Sequence, residues 1–281
     1  MKQTTDDLSN YTWLKIGGPA KVAIPESKEE FVGLLQECQE TNTPFRILGN
    51  GSNILVSDEG IDELVIKSTN ACTELKFEGN CVNVGSSVMV PQFISACINN
   101  DLGGYEYLYS VPGTVGGAIY MNAGRGKGHN QTISDHLSSV EFYSEGGVRE
   151  VPVEDLEFEH RYSIFHEHDN WVILSATFQL PSQPRHEGKK LARERMEKVS
   201  QRERTKPNAG SVFKSGVRFP FHKIPPRGLS VGDARFVSGN RICHNGDATF
   251  DDVKQLISRA KWVNRLIPPF KEPEVEWEIW E

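Results

Sequence analysis

The chain has 281 residues, 37% of them hydrophobic, enough for one large or two to three small globular cores. Its 31 basic and 38 acidic residues leave a net charge of −7, which argues against nucleic acid as a partner, and no apolar run approaches the roughly 20 residues that span a bilayer. The opening stretch MKQTTDDLSN lacks the apolar core of a signal peptide, so a cytoplasmic location is expected, and the five cysteines (38, 72, 81, 97 and 243) form no C-x-x-C pair and read as reduced thiols.

In chain order, residues 11 to 25 read as an extended segment ending at Pro25. Ser27 and Glu30 have the spacing of a capping box, and Phe31, Leu34, Leu35 and Cys38 then recur at helical intervals, which predicts a helix with one apolar face. Residues 46 to 57 run from an apolar strand into Gly49-Asn50-Gly51-Ser52-Asn53 and back into a second strand, with Leu64 to Lys67 a third. The turn offers consecutive main-chain N–H groups and three short polar side chains, the makings of an anion-binding nest for phosphate. No helix opens on its last glycine, so it is not the dinucleotide fingerprint of a Rossmann unit.

Cys72 to Val84 alternates as a hairpin, and Phe93, Ile94, Cys97 and Ile98 mark a second helix within 90 to 101. Leu108 to Gly124 then packs four glycines and one proline among apolar residues, a mixture that suits neither an amphipathic helix nor an alternating strand. Pro112 fixes the backbone, and Gly113, Gly116 and Gly117 remove side chains that would keep a flat or anionic ligand from the main chain; a tight buried turn is the competing reading. Together the two glycine runs read as a phosphate cradle and a platform for a planar ring.

A hairpin around Glu145-Gly146-Gly147 and an apolar strand from Trp171 to Leu180 follow. His166-Glu167-His168 has no further ligands clustered with it and reads as a solvated loop rather than a metal site. At Pro181-Ser182-Gln183-Pro184 the composition turns to linker, which places a boundary there: a region 1–181 with lobes of about 1–70 and 71–181, then a domain 182–281. The helix expected from Gly188 to Arg204 lies in a stretch with nine basic residues and four interleaved glutamates, so a solvated face is favoured over a nucleic-acid patch. A turn at Asn245-Gly246-Asp247 leads to a helix from about Thr249 to Leu266, with Val253, Leu256, Ile257, Ala260 and Val263 as its buried stripe, and Glu274 to Trp280 alternates as a strand.

GNGSN at 49–53 and VPGTVGGAIYMNAG at 111–124, preceded by Thr12-Trp13-Leu14-Lys15-Ile16-Gly17-Gly18-Pro19-Ala20, occur in the order found in the UDP-N-acetylenolpyruvoylglucosamine reductase (MurB) family, which the chain resembles over nearly its whole length. The resemblance implies an α+β fold: a two-lobed FAD-binding region of the MurB / vanillyl-alcohol-oxidase type and a smaller C-terminal α+β substrate domain. It implies non-covalent FAD held by Gly49, Asn50, Gly51, Ser52, Asn53, Pro112, Gly113, Thr114, Gly116, Gly117 and Ala118. NADPH is the implied electron donor, leaving before the sugar nucleotide enters. The implied reaction reduces UDP-N-acetylglucosamine enolpyruvate to UDP-N-acetylmuramate in peptidoglycan precursor synthesis.

The same resemblance maps a proton donor onto Ser211, in Pro207-Asn208-Ala209-Gly210-Ser211-Val212-Phe213-Lys214, and catalytic partners onto Arg161, in the segment His160 to Phe165, and Glu274, in Glu272-Pro273-Glu274-Val275. Taken alone, these three read as a turn hydroxyl, a surface arginine at a strand end and an exposed glutamate on an edge strand. The chain also departs from the family pattern. His160 replaces a tyrosine, Ser215-Gly216 stands where asparagine and proline are usual, and the segment ending in Gly232-Asp233-Ala234-Arg235-Phe236 lacks the Gly-Gly-Ala-Gln element. Arg218, Lys223 or Arg227 is expected to supply compensating charge for a substrate diphosphate. Two alternatives stay open: a related FAD-dependent reductase acting on another nucleotide-linked or enol-ether substrate, and a catalytically idle FAD-binding protein.

Overall fold

A computed structural model describes residues 1–125, 130–200, 206–214, 230–237, 240–266 and 271–281. The chain forms two compact units: Met1–Thr4, Val22–Asn50 and Glu63–Gln201 make the first, and Thr5–Lys21, Gly51–Asp62 and Arg202–Glu281 the second. This division differs from the boundary drawn at 181, for physical reasons on both sides. The charged helix, Arg185–Ser200, belongs to the first unit: it buries Ala192 in that unit's core, and Arg195 Nε donates to Ser110 Oγ at 3.0 Å. In the second unit, Ile54–Val56 pairs in parallel with Glu278–Trp280, and Leu14, Ile16 and Leu55 share a core with residues 250–260 of the C-terminal helix.

In the first unit, helix α1 (Lys28–Glu40) forms as its sequence predicts. Ser27 Oγ accepts the Glu30 N–H at 3.2 Å, and Phe31, Leu34, Leu35 and Cys38 are buried. The Glu30 carboxylate accepts from the Glu26 N–H and the terminal amine, so the helix start is held from both sides. Strands Phe45–Leu48 and Pro19–Ile24 flank Leu64–Lys67 in parallel, with Lys2–Asp7 at the sheet edge. A five-stranded antiparallel sheet has the order Gly147–Pro152, Leu137–Ser144, Val172–Gln179, Cys81–Gly85, Leu75–Glu78, and both expected hairpins lie within it.

Helix α2 (Val90–Asn99) covers that sheet with Phe93, whose ring lies 5.2 Å from that of Phe178. Each such fully buried aromatic contributes roughly 1.5–3 kcal/mol of transfer free energy. Within the glycine-rich stretch a short helix, α3 (Val115–Tyr120), buries Val115, Ala118 and Ile119, although the composition suggested neither helix nor strand. Its regular structure comes from a cap and from docking, both described below. The charged helix is α4 (Arg185–Ser200); the remainder of its expected length, to 204, lies outside the described residues.

In the second unit, strands Ser230–Val231, Ala234–Val237 and Arg241–Cys243 form an antiparallel sheet beside α5 (Phe250–Arg265). Thr249 and Asp252 cap α5 reciprocally. The alternating C-terminal run is not one strand. Residues 274–276 pair with 212–214 through a bridge at Phe213 and Val275, and the chain then changes partner at the buried Trp277 to form Glu278–Trp280. All five cysteines are free, and among the described residues no helix is long and apolar enough to cross a membrane.

Gly51 has φ +63°, and a Cβ there would fall 2.1 Å from the Tyr11 carbonyl oxygen. Since the neighbour is backbone and cannot rotate away, Gly51→Ala is expected to cost about 2–4 kcal/mol. Denaturant unfolding checks this, and an unchanged midpoint would contradict it.

Candidate functional site

The first unit brings one end of the nest against the glycine-rich stretch. Asn50 Nδ2 donates to the Pro112 carbonyl at 2.5 Å, and a Cβ on Gly49 would lie 3.0 Å from Thr114 Oγ1. Thr114 is buried and caps α3, its hydroxyl accepting the Gly117 N–H at 3.2 Å. The next amides are also consumed inside the protein: Val115 N–H goes to the Val88 carbonyl at 2.8 Å and Gly116 N–H to the Ser86 carbonyl at 2.9 Å. Gly116 is therefore small because the stretch docks on residue 86, where a Cβ would come within 2.8 Å of Ser86 Cβ. The amides of 115–117 do not face an anion, which corrects part of the platform reading. Gly117 is different, with only Thr114 Oγ1, at 3.5 Å, beside its Cβ position.

Lys67 sits beneath the first residue of the nest, Nζ donating to the Gly49 carbonyl at 3.1 Å. Desolvation pulls its pKa below the usual lysine value. Its one signal in the sequence is a lysine that closes the apolar strand Leu64–Lys67.

The other end of the nest belongs to the second unit. Gly51 accepts the Trp13 N–H at 2.8 Å, and Asn53 donates Nδ2 to the Glu276 carbonyl at 3.1 Å while its own carbonyl accepts the Glu278 N–H at 3.0 Å. Among the described residues, no hydrogen bond engages the main-chain N–H of Asn50, Gly51, Ser52 or Asn53. Four successive amides without a protein acceptor, in a turn fixed through its carbonyls and side chains, are suited to a diphosphate. This donor set fits the anionic centre of a dinucleotide cofactor.

Arg161 lies in the first unit, in a left-handed conformation (φ 58°) at the tight turn between Phe158–Glu159 and Tyr162–Ser163. Its guanidinium is half-buried and donates to the Gly124 carbonyl at 2.8 Å and the Asn122 carbonyl at 3.4 Å, the far end of the glycine-rich stretch. Asn122 returns the contact, donating Nδ2 to the Glu159 carbonyl at 2.8 Å. Ser163 Oγ bonds the Tyr120 carbonyl at 2.6 Å, and His166 stacks on Tyr120 at 4.0 Å. Arg161 is thus tethered rather than freely solvated, the opposite of its isolated reading.

Ser211 and Glu274 lie in the second unit on neighbouring segments. Gly210, at φ 77°, gives its N–H to Asn208 Oδ1 at 3.2 Å, and Ser211 follows, half-buried. Lys214 N–H donates to the Glu274 carbonyl at 2.9 Å, and Lys214 Nζ lies 3.8 Å from the Glu274 carboxylate, whose side chain is 71% exposed. The two segments are paired, but among the described residues no hydrogen bond joins the Ser211 and Glu274 side chains. Ser215, Arg218, Lys223 and Arg227 lie outside the described residues. Asp233, within the altered segment, closes the Asn245–Asp247 turn by accepting the N–H groups of Asn245 and Asp247.

Residues 19–151 match the family model described as FAD binding domain. The UDP-N-acetylenolpyruvoylglucosamine reductase of Clostridium perfringens (strain SM101 / Type A) is 32% identical over 268 residues, covering 90% of this chain and 85% of that protein. The protein of the same name from Caldanaerobacter subterraneus subsp. tengcongensis is 32% identical over 285 residues, covering 95% and 91%. UDP-N-acetylenolpyruvoylglucosamine reductase 1 of Bacillus cereus is 33% identical over 268 residues, covering 91% and 87%. The crystal structure of MurB from Thermus caldophilus has a TM-score of 0.80 and 30% identity, covering 100% of both chains. A likeness that runs through both units, with a FAD binding domain in the first half of the sequence, shows that the chain belongs to the UDP-N-acetylenolpyruvoylglucosamine reductase (MurB) family of FAD-containing oxidoreductases.

Proposed function

We propose that the protein reduces UDP-N-acetylglucosamine enolpyruvate to UDP-N-acetylmuramate with electrons from NADPH, a step in peptidoglycan precursor synthesis. The observation that carries this reading is the extent of the likeness: the TM-score of 0.80 covers the whole chain, the second unit included, and not the FAD binding domain alone. The cytoplasm is the compartment this reading requires, since NADPH and nucleotide sugars are its substrates.

The amides of Asn50, Gly51, Ser52 and Asn53 would hold the cofactor diphosphate, with Lys67 adding positive charge behind Gly49. Pro112, Gly113, Thr114, Gly116, Gly117 and Ala118 supply the wall beside it, shaped by the docking of α3. When bound, FAD supplies the hydride, which ends on the terminal alkene carbon of the enolpyruvyl group. Negative charge then spreads from the neighbouring carbon into the carboxylate. Arg161 stabilises that charge, and its ties to the Gly124 and Asn122 carbonyls hold the guanidinium in place in advance. Glu274, acting as a carboxylic acid, donates a hydrogen bond that polarises the substrate carboxylate, and the Ser211 hydroxyl delivers the proton to the carbon.

The purified protein is expected to be yellow and to release FAD when denatured, because the set of residues offers hydrogen-bond donors and no attachment chemistry. Colourless protein that FAD cannot reconstitute would contradict the cofactor assignment.

Ser211→Ala is expected to slow reoxidation of the reduced protein by the sugar nucleotide roughly 10²-fold or more, the usual scale for losing a general acid, while NADPH reduces the flavin as before. Stopped-flow measurement of the two half-reactions separates them. Equal slowing of both, or of neither, would count against Ser211 as the proton donor.

A further inference from the structure

A serine hydroxyl has one side-chain rotor, so the place of its oxygen is set mainly by the backbone on either side. Before Ser211, Asn208 holds the turn, Oδ1 accepting the Gly210 N–H and Nδ2 donating to the Lys206 carbonyl at 2.9 Å. After Ser211, a single distant residue makes three hydrogen bonds. The Asn240 carbonyl accepts the Val212 N–H at 2.9 Å, Asn240 Oδ1 accepts the Phe213 N–H at 3.1 Å, and Asn240 Nδ2 donates to the Phe213 carbonyl at 2.6 Å.

The side-chain amide thus offers Phe213 the donor and acceptor that a neighbouring strand would give. The pairing with 274–276 does not use these groups, since it runs from Glu276 N–H to the Val212 carbonyl at 2.7 Å and from Lys214 N–H to the Glu274 carbonyl. Val212 and Phe213 are both buried, so water cannot replace the amide without opening the segment. An asparagine is suited to this place because its two amide atoms meet an N–H and a C=O of one residue together.

We propose that Asn240 is a positioning residue for proton delivery, fixing Val212 and Phe213 so that the Ser211 hydroxyl is held at one place relative to the carbon it protonates. The inference rests on the reading of Ser211 as proton donor. A displacement of about 1 Å in a reacting group costs on the order of 10²-fold in rate. Asn240 is therefore expected to act on the substrate half-reaction alone.

The test compares Asn240→Ala, Ser211→Ala and the double variant, each loaded with FAD. Asn240→Ala is expected to slow reoxidation by the sugar nucleotide about 10- to 100-fold, with NADPH reduction and the KM for the sugar nucleotide little changed. The double variant is expected to be no slower than Ser211→Ala, because the asparagine acts through the serine. In the protein without FAD, hydrogen exchange at Val212 and Phe213 is expected to quicken in Asn240→Ala.

Asn240→Asp gives a second handle should the alanine variant fail to fold. Its protonated carboxyl offers the same donor and acceptor as the amide and its ionised form loses the donor, so reoxidation is expected to recover as pH falls through that titration. With Ser211→Ala in the same chain, the recovery is expected to vanish. A wild-type reoxidation rate in Asn240→Ala beside a slow Ser211→Ala overturns the inference and leaves the serine reading standing. Multiplying losses in the double variant, unchanged exchange at 212 and 213, or no pH recovery in Asn240→Asp overturn it too. A Ser211→Ala protein with full activity removes the serine reading itself, a distinguishable result.

Discussion

The second unit depends on a short run of main-chain hydrogen bonds around Val212. Its N–H is held by the Asn240 carbonyl and its carbonyl by the Glu276 N–H, while the Glu276 carbonyl accepts the side chain of Asn53. Four parts of the chain far apart in sequence are thereby fixed together: the end of the nest, the segment that follows Ser211, the strand region near residue 240 and the C-terminal run. Buried main-chain groups must be paired, so none of these segments can shift without leaving a donor or acceptor unsatisfied. Rigidity at Ser211 and Glu274 follows from the same bonds that fold the C-terminus.

In the first unit the governing constraint is close approach. Gly116 lets the glycine-rich stretch dock against Ser86, and Thr114 caps α3. These contacts use up the amides of 115–117, whereas those of 50–53 have no acceptor among the described residues. Gly116 and Gly51 are demanded by the protein's own backbone and side chains, whereas the nest amides, which have no acceptor among the described residues, are what an anion can use. Arg161 gains its fixed position from the same stretch, through the carbonyls at 122 and 124.

Local features were legible in the sequence. The cap at Ser27, the apolar stripes of α1 and α2, that of α5 save Val263, which is only half-buried, both hairpins and the turn at 49–53 all depend on residues within a few positions of one another. Non-local pairing was not. Nothing at residues 54–56 announces that their parallel partner is the chain's last strand, so the boundary at 181 missed the crossings between units, and the linker composition concealed that α4 packs backwards onto the first core. The C-terminal run alternates correctly, but its change of partner at Trp277 has no sequence signal. The roles proposed for Ser211, Arg161 and Glu274 rest on family likeness, since a serine, an arginine and a glutamate in isolation carry little information. Asn240 carried no signal in the sequence, because its hydrogen bonds go to Val212 and Phe213, far away along the chain.

Use of this protein's reduced flavin by an enolpyruvyl sugar nucleotide is the step on which its function turns. It is tested most directly by photoreducing the purified holoprotein without oxygen and adding UDP-N-acetylglucosamine enolpyruvate. Stoichiometric return of the oxidised flavin absorbance, with UDP-N-acetylmuramate as the product, is the expected result. A flavin that stays reduced in the presence of that compound, yet reoxidises with another enol ether, would contradict it.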